Sequence, residues 1–158
     1  LGGAQVDRYG NLNAHVIGNY AEPDVRLAGS GGSNDIGACC KRTVVMMLHQ
    51  KQRFPERVDF ITTPGFLTGG DARRNAGLPG GGPAVVVSTM AILRFDPKTK
   101  EMYLASYHPG LSVDIVKENT GWDLMVAEDV RETEPPAPEL IRILREELDP
   151  MGIFLKKE

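Results

Sequence analysis

T-V-V-M-M-L, the run at Thr43–Leu48, gives the first indication of the fold. It is short, apolar and partly β-branched, and polar residues bound it on both sides. Such a run is typical of a buried strand of an α/β sheet, because a helix is longer and places polar residues at regular intervals. Val58–Thr62 (V-D-F-I-T) and Ala84–Ser88 (A-V-V-V-S) have the same character, so we predict strands there as well.

A β-hairpin is predicted directly after these strands. Ala91–Phe95 is an apolar run, and Asp96–Lys100 (D-P-K-T-K) has the composition of a turn. Glu101–Tyr107 then alternates between two sets of side chains, as a strand with one buried face does. The two runs and the turn between them predict an antiparallel pair.

Three helices are predicted. The first begins within Gly29–Asn34 and runs through Ile36 to the cysteines. The second covers Ser112–Asn119, with Ser112 as its N-cap. The third begins at Pro138 and stops at Asp149–Pro150. Its apolar side chains share one face, which we expect to pack against a sheet: Leu140, Ile141, Leu144 and Leu148.

Composition narrows the classes of function. The chain has 158 residues, of which 25% are charged and 41% hydrophobic, which predicts a single globular domain. A net charge of −3 argues against nucleic acid as a partner. No apolar run approaches the roughly 20 residues that a membrane span needs, so we expect no membrane partner.

Cysteines and histidines offer little chemistry. Adjacent Cys39 and Cys40 are expected to be reduced and mostly buried, which favours a cytoplasmic protein. The three histidines, His15, His49 and His108, lie far apart without metal-ligand spacing, so we interpret them as structural and predict no metal site.

A glycine-rich loop before the first helix is the strongest candidate for a site. Within Arg26–Asp35, glycines at 29, 31 and 32 allow positive φ and close approach of a ligand to the backbone. Amide groups there could hold an anion or a developing oxyanion. The alternative is an ordinary glycine turn ahead of a helix. The glycine-rich loop is not a Walker A loop, because no Gly-Lys-Ser or Gly-Lys-Thr follows it.

Two other segments could contribute to a site. Gln5 and Asp7 end an apparent strand, where open α/β sheets bind ligands; a plain strand–turn–strand is the alternative. The long loop Gly65–Pro83 carries Arg73 and Arg74, which could pair with a carboxylate or phosphate. Solvated arginines are the favoured interpretation there.

Eight motifs follow one another along nearly the whole chain. They are G-G-A-Q-V-D-R-Y-G-N-L-N at Gly2–Asn13, G-S-G-G-S-N at Gly29–Asn34, V-V-M-M-L-H at Val44–His49, V-D-F-I-T-T-P-G at Val58–Gly65, G-L-P-G-G-G-P at Gly77–Pro83, L-R-F-D-P-K-T-K-E-M-Y-L-A at Leu93–Ala105, E-N-T-G-W-D-L at Glu118–Leu124 and I-R-I-L-R-E-E-L-D-P at Ile141–Pro150. Taken together and in this order, they resemble the β-type subunit of family I CoA transferases, most closely the glutaconate type.

The resemblance implies a fold and a chemistry. Members of the family are α/β proteins with a mainly parallel sheet flanked by helices, and they pass CoA between carboxylic acids through a glutamyl-CoA intermediate. The substrate is a CoA thioester, no bound cofactor is implied, and an α-type subunit is the implied partner. By resemblance Gly32 supplies an oxyanion-hole N–H. The implied acyl-CoA and substrate-binding residues are Gln5, Asp7, Gly29, Gly31, Ser33 and Asn34.

The nucleophile of this chemistry is expected outside the sequence. In the family it lies in an E-S-G or E-N-G segment upstream of G-G-A-Q, and Leu1–Asp7 has the pattern of a strand end already under way. We therefore interpret the chain as the C-terminal portion of a β-type subunit whose N-terminal strands are missing. Two alternatives stay open: a CoA-thioester or ring-cleaving hydrolase on the same scaffold, and a non-catalytic partner of an α-type subunit.

Overall fold

A computed structural model describes residues 1–154, which form a mixed α/β structure. Its strands are β1 Gln5–Val6, β2 Leu12–Asn13, β3 Val16–Gly18, β4 Pro23–Arg26, β5 Thr43–Met47, β6 Pro83–Ser88, β7 Ala91–Phe95, β8 Met102–Tyr107 and β9 Met125–Glu132. Its helices are α1 Ser33–Cys39, a 3-10 turn Lys51–Arg53, α2 Ala72–Asn75, α3 Val113–Glu118, α4 Pro138–Arg142 and a π-helical stretch Ile143–Leu148.

The central sheet has five strands in the order β5-β6-β7-β8-β9. Strand β5 is parallel to β6, and β8 is parallel to β9. The central pairings, β6 with β7 and β7 with β8, are antiparallel. The α/β class, the strands at 43–47, 83–88 and 91–95, and the hairpin across Asp96–Lys100 are confirmed.

One face of this sheet forms the core. In β5 the side chains alternate, so that Val45 and Met47 are buried while Val44 and Met46 are exposed. The buried face packs against residues from the N-terminal segment, the 3-10 turn and the region of α3. The core cluster comprises Val6, Leu12, Val45, Met47, Phe54, Val86, Ala91, Leu93, Met102, Leu104, Val116, Trp122 and Leu124.

The outer edge of β5 is met by the first residue of the chain. The Leu1 nitrogen donates to Val44 O, and Leu1 O accepts from Met46 N, each at 2.8 Å. In a parallel pairing, one residue bonds in this way to the two residues that flank its partner, as Leu1 does here to Val44 and Met46. The other face of β5 remains open, with Met46 67% exposed, and Leu48 just after the strand is 53% exposed.

Two sequence predictions about local structure are wrong. Val58–Thr62 is not a strand. The adjacent antiparallel bridge joins Leu12 to Thr63, just beyond the segment, and Pro64 follows at once. A side chain occupies a backbone group of this segment instead, since Asp59 N donates to Gln5 Oε1 at 3.0 Å. The cysteines are free but exposed rather than buried, because the helix that carries them buries only Gly37.

The C-terminal helix begins at Pro138, as predicted, and ends before Asp149. Its expected packing against the sheet is wrong for this chain, because Leu140 is 61% and Leu148 71% exposed. Ion pairs on its exposed surface link successive turns of the helix instead, since Arg142 pairs with Glu139, Glu146 and Glu147. The extended, proline-rich connector 133–137 before it is also largely exposed.

Candidate functional site

Backbone hydrogen bonds hold the glycine loop against the segment between β2 and β3. Leu27 N donates to His15 O and Gly29 N to Ala14 O, each at 2.8 Å. Ser33 N then donates to Ser30 O at 2.9 Å, which closes a tight turn. Helix α1 begins immediately afterwards with Gly32 as its N-cap residue, so the predicted passage from loop to helix is confirmed.

The three glycines of the loop differ in what the backbone requires. Gly29 and Gly31 have φ of +91° and +49°, a region that side chains rarely adopt. Gly32 has φ −90°, which any residue can adopt, and a Cβ there would meet no atom within 4 Å. Residues 1–154 therefore do not explain a glycine at position 32. A ligand or another segment of polypeptide would explain it.

The amide of Gly32 is one of the free donors of this loop. Among residues 1–154 its N–H forms no hydrogen bond, and the same is true of the amides of Ser30 and Gly31. Its neighbours face different surroundings: Ser33 Oγ accepts from Thr63 Oγ1 at 2.8 Å, whereas Asn34 is exposed. The loop thus presents the unpaired N–H of Gly32 at a residue where a side chain would meet open space.

Gln5 lies inside a network that supports the loop. Its side-chain oxygen accepts from Asn13 Nδ2 at 2.7 Å, and its Nε2 donates to Asp59 at 3.0 Å. Asn13 Oδ1 in turn accepts from His15 N at 3.0 Å. Gln5 is therefore connected to the point from which Gly29 is held, and within residues 1–154 one hydrogen of its Nε2 remains free.

Asp7 is a buried carboxylate in the turn after β1. Its Oδ1 accepts from Tyr9 N and Asn11 N, both at 3.0 Å, and Oδ2 accepts from Asn11 Nδ2 at 2.9 Å. Burial raises the pKa of Asp7, while these hydrogen bonds oppose the increase. Asp7 also lines a cleft of about 370 Å³ together with Arg8, Ile61 and Leu67. These contacts match the interpretation as strand–turn–strand; binding of a ligand by Gln5 and Asp7 stays a prediction.

The histidines are bound within the fold. His49 Nδ1 lies 2.8 Å from Ser88 Oγ, and burial lowers the pKa of His49 to about 4. His15 Nδ1 lies 2.8 Å from Thr62 Oγ1. His108 Nε2 lies 2.9 Å from Ser88 O. Within residues 1–154, no group of three or more His, Cys, Asp or Glu side chains is placed to hold a metal ion.

Arg73 was misjudged from the sequence as a solvated arginine. It is 5% exposed, and its guanidinium donates to five backbone carbonyls. Arg74 fits the expectation, being exposed and paired with Asp71 at 2.8 Å. A signal for Arg73 did exist: the glycine-rich loop Gly65–Pro83 leaves many carbonyls without regular partners, and buried carbonyls need donors.

Comparison with known proteins identifies the family. The model of the coenzyme A transferase family matches residues 1–119. The chain belongs to this family. It is 48% identical to the B subunit of glutaconate CoA-transferase from Acidaminococcus fermentans, over 99% of this chain and 58% of that protein. It is 40% identical to the B subunit of 3-oxoadipate CoA-transferase from Pseudomonas knackmussii, over 92% of this chain and 56% of that protein.

The solved structures agree with this coenzyme A transferase assignment. The crystal structure of glutaconate CoA-transferase from Acidaminococcus fermentans matches with a TM-score of 0.93 and 46% identity, covering all of this chain and 60% of that one. The chain therefore spans about three-fifths of the length of these relatives. No helix among residues 1–154 is long and apolar enough to cross a membrane.

Proposed function

We propose that the protein to which this chain belongs transfers CoA between carboxylic acids, with the loop at Gly32 stabilising the oxyanion. Family membership and the names of the two similar B subunits support the reaction class. Because those relatives act on glutaconate and 3-oxoadipate, we favour a dicarboxylic acid as one substrate. A ring-cleaving hydrolase remains the alternative, and it is separated from transfer by the assay below.

The proposed chemistry needs a donor at a fixed place. A glutamate outside this chain attacks the thioester carbonyl, and CoA leaves as a thiolate while an acyl-glutamyl anhydride forms. The thiolate then attacks the glutamyl carbonyl, which releases the first acid and gives the glutamyl-CoA thioester. The second acid collects the CoA by the reverse sequence. Each attack builds negative charge on a former carbonyl oxygen, so a fixed N–H lowers every barrier.

The observation that carries this proposal is the unpaired amide of Gly32. Its N–H has no acceptor among residues 1–154, and open space lies where a side chain would be. The loss of one oxyanion donor typically costs about 3–4 kcal/mol in transition-state stabilisation. Within this proposal, Gly29 and Gly31 form the turn, and Ser33 and Asn34 shape the acyl pocket.

We propose substrate contacts for Gln5 and Asp7 through the groups that the fold leaves available. Within residues 1–154, one hydrogen of Gln5 Nε2 is unused. The carboxylate of Asp7 is buried and already accepts from Tyr9 and Asn11, so we place its contact with the substrate where Asp7 borders the cleft beside Arg8. Gln5 has a second role in this proposal, since it supports Asn13 beneath the loop.

The proposed partner is an α-type subunit, and the exposed apolar surfaces of this chain support that view. Met46 on the open face of β5 and Leu48 just after the strand are exposed, as are Leu140 and Leu148 on the C-terminal helix. Exposed apolar groups of this extent are typical of surfaces that another polypeptide covers. In the assembly, the α-type subunit and the remainder of the β-type subunit would share these surfaces.

The test is reconstitution of the activity from parts. The full-length β-type subunit with its α-type partner should move CoA from glutaryl-CoA to acetate, whereas the 158-residue chain alone should show no turnover. Release of free CoA without an acceptor acid would instead favour the hydrolase. Clear turnover by the chain alone would mean that the nucleophile lies within it and that the proposal is wrong.

A further inference from the structure

Arg73 is a buried cation that, among residues 1–154, donates hydrogen bonds only to backbone carbonyls. Among residues 1–154 its guanidinium forms no ion pair, yet each of its five N–H groups finds an acceptor. The bonds are Nε to Gly80 O at 2.8 Å, Nη1 to Pro64 O at 3.1 Å and Gly65 O at 2.9 Å, and Nη2 to Gly37 O at 2.7 Å and Ala38 O at 2.9 Å.

Helix α1 has few other attachments. A helix is normally held by an apolar face buried in the core, but α1 buries only Gly37, and Ile36 is 42% exposed. Its backbone lies directly on Thr63, since a Cβ at Gly37 would collide with Thr63 Cγ2. Among residues 1–154, the other hydrogen bonds that hold α1 and its C-cap residue Cys40 are the Ser33–Thr63 hydroxyl bond, Gly80 N to Ala38 O at 2.9 Å and Gly81 N to Cys40 O at 3.2 Å.

The electrostatics of Arg73 suit this position. Gly37 and Ala38 lie in the last turn of α1, where carbonyls lack partners within the helix and carry partial negative charge. A cation at this end is favourable, and hydrogen bonds to a charged donor are stronger than neutral ones. Lysine could not replace it, because one ammonium cannot span three separate groups of carbonyls as the planar fork does.

We propose that Arg73 is a positioning residue for the site at Gly32. It joins the C-terminal turn of α1 to the backbone at 64–65 and at Gly80, and α1 carries Gly32 at its other end. The helix is roughly 10 Å long, so movement of the clamped end shifts the N–H of Gly32. This inference rests on the proposed role of Gly32, since the clamp matters for turnover only if that amide acts in catalysis.

The experiment compares Arg73→Lys and Arg73→Met with Arg74→Met in the full-length subunit assembled with its partner. Arg74 is the matched control, because it is the adjacent arginine and its side chain is 77% exposed. Both Arg73 variants should lower kcat by roughly 10- to 100-fold, as misplacement of a catalytic group by about 1 Å does, with KM for the acyl-CoA within about twofold. Arg74→Met should stay within about twofold of wild type in both constants.

A local measurement separates the clamp from the chemistry. Hydrogen–deuterium exchange of the amides at 36–40 should be at least about tenfold faster in Arg73→Met and unchanged in Arg74→Met, since loss of the clamp frees the last turn of α1. If Gly32→Ala has wild-type kcat while exchange in Arg73→Met is faster, the proposed function fails and the clamp stands.

Two outcomes would overturn the inference. One is wild-type kcat in a folded Arg73 variant when Gly32→Ala is slow; the other is unchanged exchange at 36–40. If Arg73→Met fails to assemble, the test of the inference is made with Arg73→Lys. This variant keeps the positive charge and the aliphatic part of the side chain but loses the planar guanidinium group. Wild-type kcat and exchange in Arg73→Lys would then show that the guanidinium geometry is not needed.

Discussion

His49 is a buried neutral histidine, and its protonation should destabilise the fold. Its ring is 2% exposed and stacks on Phe54 with centroids 4.0 Å apart. The Thr120 hydroxyl already donates to Val116 O, so it accepts from His49 Nε2–H at 3.2 Å. Ser88 Oγ already accepts from Met90 N and Ala91 N, and its one hydrogen has a closer acceptor in Nδ1, at 2.8 Å, than in Ala91 O, at 3.1 Å, so Nδ1 accepts from Ser88 Oγ. A proton on Nδ1 would remove that bond and place a charge in the core.

The size and sign of the effect follow from the pKa. Burial lowers the pKa of His49 from 6.5 to about 4. The unfolded chain therefore takes up a proton near pH 6.5, whereas the folded chain resists until about pH 4. The contribution of neutral His49 to the free energy of unfolding is fully present above pH 6.5 and is lost as the pH falls toward 4. At about 1.4 kcal/mol per unit, the loss is about 2 kcal/mol by pH 5 and about 3 kcal/mol in full.

Denaturant unfolding at a series of pH values measures this effect. His49→Gln removes the titrating group, so the variant should be less stable at pH 7 but should lack about 2 kcal/mol of the decrease between pH 7 and pH 5. An NMR titration of the ring gives the pKa directly. A His49 pKa near 6.5, or the same pH dependence in wild type and His49→Gln, would refute the reasoning.

Two further predictions concern the loop and helix at the site. Gly31→Ala should lower the free energy of unfolding by about 1 kcal/mol, because alanine at φ +49° is strained; equal stability of Gly31→Ala and wild type in urea would contradict the conformation of the loop. Cys39 and Cys40 are exposed, so both thiols should react with Ellman's reagent in the native protein. Reaction only after denaturation would show that α1 is covered.

Local patterns were enough to predict most of the five-stranded sheet and the starts of three helices, α1, α3 and α4, but neither α2 nor the 3-10 turn Lys51–Arg53. Thr43–Met47 and Ala91–Phe95 were recognisable because buried strands have a short apolar signature, and Ser112 because a serine N-cap precedes its helix. Val58–Thr62 has a similar composition but forms no strand. Its polar groups are taken by Leu12, Gly18 and other distant residues, which no local pattern reveals.

The candidate site was only partly predictable for the same reason. The motif G-S-G-G-S-N located the loop, and the helix after it followed from spacing. Coordinates were needed to show that Gly32 has a free amide and an ordinary φ, whereas the amide of Gly29 is bonded and both Gly29 and Gly31 have positive φ. The role of Arg73 depends on carbonyls up to 36 residues away in sequence, so exposure was the wrong but reasonable expectation.

The measurement that tests the central claim most directly is the kcat of Gly32→Ala in the assembled enzyme. A methyl group at this position enters open space and fits the backbone, so the fold should be intact. The methyl group would occupy the place that we propose for the acyl carbonyl oxygen of the substrate. It would therefore prevent a hydrogen bond between that oxygen and the N–H of residue 32. We predict a fall in kcat of about 100-fold or more with unchanged circular dichroism. Wild-type kcat in the folded variant would contradict the oxyanion role of this loop.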